Sequence, residues 1–79
     1  MSYETEAKLE DLRGERERIE TVMDRLRKDV NYYSETEGDY PRDAERAKKA
    51  FDEWYSYAAK LEKVVKSIEK LESLIVEGM

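Results

Sequence analysis

Chemistry needs groups that titrate, coordinate or attack, and this chain carries a narrow set of them. Histidine and cysteine are both absent. That removes the usual general base and the strongest side-chain nucleophile, and it excludes disulfide frameworks and Cys/His zinc sites. What remains is carboxylate, 20 Asp and Glu against 15 Lys and Arg. The densest run is Glu35, Glu37 and Asp39, whose alternate spacing loosely resembles the first half of a calcium-binding loop. The second half is missing. Tyr40 stands where such a loop needs glycine for its sharp turn, and Arg46 stands where it needs a bidentate glutamate. The expectation is a chain that is not an enzyme, with no metal and no cofactor.

The same triad reads better as a contact surface. Residues 34–45 hold five acids and one base, so most of the net charge of −5 is concentrated there. Tyr32, Tyr33 and Tyr40 stand beside it. Tyrosine packs while carboxylates steer, a combination suited to a basic surface on a partner protein. A plainer reading makes the acids a solvated turn that complements a helix N-terminus. A sharper one has the acidic end imitate nucleic acid and block a basic groove on a DNA- or RNA-handling protein, as small acidic phage proteins do as a class. Direct nucleic-acid binding is not expected. Lys60, Lys63, Lys66 and Lys70, like Arg25, Arg27 and Lys28, alternate with acids and read as solvated helix faces.

The elements that must position these groups follow from apolar spacing. Leu9, Leu12, Arg16, Ile19, Met23, Leu26, Val30 and Tyr33 keep a 3-4 rhythm, as do Ala44, Ala47, Phe51, Trp54, Ala58, Leu61, Val65, Ile68, Glu72 and Ile75. That rhythm is a coiled-coil seam. It predicts one domain over 1–79, with a first helix over about 3–33, an acidic tip at 34–40 and a second helix over about 41–76. Ser2 would cap the first helix, with Glu4 and Glu6 complementing its dipole. Gly14 falls on an outward face. Gly38 supplies a positive φ in the turn, Asp39 or Tyr40 caps the second helix, and Pro41 sits in its first turn. A connection this short makes the helices antiparallel neighbours. Folding the register about the turn sets Tyr33 against Ala44, Leu26 against Phe51, Met23 against Trp54 and Leu9 against Ile68. The fold class is an all-α, coiled-coil-like helical hairpin.

The second helix has apolar surface to spare. Beside its seam runs a ridge at seven-residue spacing, Ala50, Tyr57, Val64 and Leu71, where the first helix has Lys8, Glu15, Val22 and Asp29. A face this wide belongs to a bundle of three or four helices. Homodimerisation through the ridge, a four-helix bundle with twofold symmetry, would cover it. Leu74, Ile75 and Val76 extend the same surface past the end of the first helix. Phe51 and Trp54 are expected in the core, and Tyr55 and Tyr57 at an interface. Arg16, a lone polar residue on the seam, would set register and partner number, or reach Glu62 or a nearby acid instead.

Size points the same way. A chain of 79 residues sits at the margin of what one core stabilises, and without cysteine a partner chain is the support that remains. No stretch nears the ~20 consecutive apolar residues of a membrane span, and the acidic start lacks an apolar signal segment, so no membrane contact and a cytoplasmic location are expected. The function expected is protein binding, as a small regulator, adaptor or inhibitor. The rivals are the nucleic-acid mimic and a pure oligomerisation element.

Overall fold

A computed structural model describes residues 3–77, with side chains through Ile75. Two helices form an antiparallel hairpin, α1 over Tyr3–Thr36 and α2 over Arg42–Glu77. They pack side by side into a rod whose Cα atoms span 59 × 14 × 13 Å. The expected Ser2 cap lies outside the described residues, as does the side chain of Val76.

Helix α1 runs three residues beyond the expected end. Ser34, Glu35 and Thr36 read as turn residues by type, yet Thr36 continues the seam and its side chain finds partners there. Its carbonyl accepts the N–H groups of both Asp39 and Tyr40, at 3.1 and 2.9 Å, which satisfies an orphan acceptor at the helix end. The turn needs no left-handed backbone. Among the described residues no glycine has a positive φ, so the role expected of Gly38 is not the one it plays. Pro41 lies immediately before α2, and the Tyr40 carbonyl accepts the Asp43 N–H at 2.8 Å to start the helix.

The seam of α1 follows the expected spacing, with Leu9, Ile19 and Leu26 buried and Leu12, Met23, Val30 and Tyr33 half-buried. On α2 the seam is rotated. Ala47 and Ile68 are buried as expected, but the second buried column is Asp43, Ala50 and Val64, not Ala44, Phe51 and Val65. Tyr57 and Leu71 belong to that column too and pack against the Leu9, Ile19, Val64 and Ile68 core, together with Ile75. This corrects the reading of Ala50, Tyr57, Val64 and Leu71 as a free ridge. It also removes Phe51 from the core and displaces the expected layers that paired it with Leu26 and Ala44 with Tyr33.

The rotation has identifiable causes. Near the turn the inward positions are the small Ala47 and Ala50, which let the helices approach where Phe51 would hold them apart. At the open end the chosen column offers Leu71, whereas the rejected one would bury the Glu72 carboxylate. The exchange puts Asp43 inside instead, where it is satisfied. The Thr36 hydroxyl donates to its Oδ2 at 2.6 Å and the Arg46 guanidinium to its Oδ1 at 3.2 Å. A buried carboxylate with two donors is tolerated; one in an apolar seam is not. Arg16 stays half-exposed on the seam and contacts Glu20 on its own helix at 3.8 Å, not Glu62. Across the hairpin, Arg13 reaches Glu72 at 3.0 Å.

Candidate functional site

Two rotated columns leave two different flanks. On one, cations lie over the aromatic edges of the seam. The Arg46 guanidinium sits 5.8 Å from the Tyr33 ring centre and Lys60 Nζ 4.9 Å from that of Tyr57, contacts that attract electrostatically and shield the rings from water. The other flank has no such cover. Phe51 is 49% exposed and Tyr55 66%. The Phe51 ring stacks on Trp54 at 6.1 Å and tilts against Tyr55 at 6.3 Å. Helical geometry explains the cluster, since residues three and four apart share a face. Ala58, Leu61 and Val65, all half-buried, carry the apolar surface further along α2, and Met23 of α1 joins it at a shallow groove shared with Trp54 and Leu61. This aromatic stripe is the principal candidate surface.

Most of the stripe was not expected as a free surface. Phe51 and Trp54 were expected in the core, and Trp54 is half-buried. Tyr55 alone was placed at an interface. The signal was present, because a third apolar column, Ala44, Phe51, Ala58 and Val65, runs beside Ala47, Trp54, Leu61 and Ile68. Spacing could not say which neighbouring column turns inward. Leu74, expected on the contact surface, is half exposed, whereas Ile75 packs against the core.

The tip is the second candidate, and its geometry divides the expected residues. Tyr32 and Tyr33 meet edge to face at 5.4 Å and 74°. With Tyr40 they wall an open cleft of about 550 Å³, whose charged lining is Arg42, Asp43 and Arg46. Glu35, Glu37 and Asp39 are exposed and lie outside that lining. The three tyrosines therefore come together, but around guanidinium groups rather than around the acids. Arg42 and Arg46 were not singled out by sequence as site residues. Their spacing of four at the start of a helix was the available clue.

The clasp beneath the cleft joins the two helices through side chains. The Thr36 hydroxyl has one proton, and its shortest contact is the Asp43 carboxylate, with the Tyr32 and Tyr33 carbonyls at 3.2 and 3.4 Å. Among the described residues, no group of three His, Cys, Asp or Glu side chains is placed to hold a metal ion, and no helix is long and apolar enough to cross a membrane. The chain gives no significant match to any protein-family model, curated protein or solved structure.

Proposed function

We propose that this chain is a non-enzymatic protein-interaction module, a small regulator, adaptor or inhibitor that presents the aromatic stripe of α2 to a partner protein. One observation carries the reading: Phe51 and Tyr55 are 49% and 66% exposed while clustered with Trp54. Clustered aromatics of this kind dominate binding energy at interfaces, because each buries a large area for little loss of rotamer freedom. The acidic tip, Glu35, Glu37 and Asp39, steers a basic approach but is not the anchor. Imitation of nucleic acid is the weaker reading. A mimic needs uninterrupted negative surface, and the cleft beside the acids is lined by Arg42 and Arg46.

Two variants test the division of labour. Phe51→Asp with Tyr55→Asp should keep the helical circular dichroism signal and lose the protein that the wild-type chain captures by cross-linking. Glu35→Lys, Glu37→Lys and Asp39→Lys together should slow association by a few-fold, with an effect that fades in salt. Capture that survives the stripe variant but fails on the tip variant would move the function to the tip.

A further inference from the structure

The stripe requires an occupant, and we propose that it is a second copy of this chain, packed antiparallel through α2 about a twofold axis passing close to Ala58 and Ala59. This rests on the stripe being the working surface and takes a second copy as the protein that covers it, which leaves the acidic tip of each chain for a separate, basic partner. Area is the first argument. The hairpin exposes 6427 Å², whereas a globular chain of 9.4 kDa exposes roughly 5,000 Å². The excess is larger than the roughly 800 Å² that each partner contributes to a standard interface. A second hairpin laid along the first removes that excess and turns a two-helix rod into a four-helix bundle.

Charge order is the second argument, and it selects the direction. Along the outer border of the stripe α2 carries Glu45, Lys48, Asp52, Glu62, Lys66 and Glu69. Reversed about Ala58 and Ala59, four of these six charges meet an opposite charge, and Glu45 falls opposite Ser73. Lys48 comes opposite Glu69 of the second copy, and Asp52 opposite its Lys66. Tyr55 then meets Glu62 of the second copy, and its phenol donates to that carboxylate. A parallel, in-register pair brings residues of the same level together and makes none of these pairings. Within the single chain Lys66 already reaches Glu62 at 3.1 Å, an exposed pair that solvent screens and that exchanges for Asp52 with little penalty. The small side chains at the axis, Ala58 and Ala59, let the two helices come close there, and Phe51 of each copy reaches Val65 of the other. The interface is isologous, so it closes at two chains.

Cross-linking reads the geometry directly, since the chain has no cysteine of its own. Lys48→Cys and Glu69→Cys are prepared separately and treated with a short bismaleimide. Neither should cross-link alone, and their mixture should give a covalent dimer. Self-linking of Lys48→Cys would mean a parallel pair and would overturn the proposal. Sedimentation should show wild-type dimers at micromolar concentration, with dissociation raised at least tenfold by Phe51→Asp. Lys48→Glu should weaken the dimer a few-fold, and Glu69→Lys in the same chain should restore it. A wild-type chain that stays monomeric at high micromolar concentration sinks the second-copy occupant. If such a monomer still loses a captured protein on Phe51→Asp, the stripe remains the working surface and only its partner was misassigned.

Discussion

Two neighbouring columns of α2 have nearly the same composition and opposite fates. Asp43, Ala50, Tyr57, Val64 and Leu71 turn toward α1; Ala44, Phe51, Ala58, Val65 and Glu72 turn away from it. Each holds one valine, one aromatic and one acid; the inward column adds an alanine and a leucine, the outward one two alanines. The inward column differs in where its acid falls. Asp43 lies at the turn, where Thr36 and Arg46 can reach it, and Glu72 lies at the open end, where it stays about half exposed and pairs with Arg13. Hydrophobicity made both columns eligible, and side-chain size at the turn together with polar satisfaction decided between them.

The adjacent valines give the largest test of that contrast. Val64 is 7% exposed and touches the core cluster, whereas Val65 is half-buried on the open flank. Val64→Asp places an unpaired carboxylate in the seam and should cost about 3 kcal/mol or more, enough to unfold a small hairpin in urea titrations monitored by circular dichroism. Val65→Asp, measured at a concentration where the chain is monomeric, should cost below about 1 kcal/mol. Equal losses would mean that the two columns share the seam.

How much of this was legible depends on which physical rule each feature obeys. The helices, their antiparallel pairing and the α1 seam follow from spacing, because a lone apolar column on a polar helix has one way to face. The α2 seam does not, since three apolar columns lie side by side and a rotation of one column exchanges core for surface. Phe51 shows the consequence: the same residue read as core is half exposed. The Asp43 clasp was hidden for a related reason. An acid in the first turn of a helix is ordinarily a dipole partner in solvent, and only the three-dimensional meeting with Thr36 reveals a buried contact. The arginine lining of the tip was hidden by averaging, since a net negative segment does not show where its few positive groups point.

Volume separates the columns as sharply as charge does. Ala50 is buried at 8% exposure and Ala44 is exposed. Ala50→Leu should overpack the close approach near the turn and cost about 1–3 kcal/mol. Ala44→Leu should change stability by less than about 0.5 kcal/mol. Thermal midpoints of the two variants, taken side by side, check this. A stabilised Ala50→Leu would reveal room in the seam and undermine the account of why Phe51 stays outside.

Polar satisfaction at the turn ranks next. Thr36→Val keeps shape and removes the hydroxyl that donates to Asp43 at 2.6 Å. The carboxylate then keeps only Arg46, and the expected loss is about 1–2 kcal/mol. Asp43→Ala also removes the acceptor, so the double variant should be less damaged than the two single losses together would make it. The coupling, read from a double-mutant cycle in urea, should be about 1 kcal/mol. Additive losses would mean that the contact does not select the inward column.

The smallest expected effect lies at the other acid. Glu72 pairs with Arg13 at 3.0 Å, but both side chains are about half exposed, at 48% and 51%, so water and salt screen the pair and ordering two long side chains offsets much of the attraction. Glu72→Ala should therefore cost about 0.5 kcal/mol or less, and the difference should vanish in high salt. Glu72→Leu is the more telling change. It removes the one acid of the outward column and makes the two columns equally apolar at the open end, so the barrier to rotating α2 falls. If polar satisfaction is what set the rotation, Glu72→Leu should raise hydrogen exchange at Val64 and Leu71 amides while leaving those near the Thr36–Asp43 clasp unchanged. Uniform protection along α2 in that variant would show that packing alone holds the inward column in place.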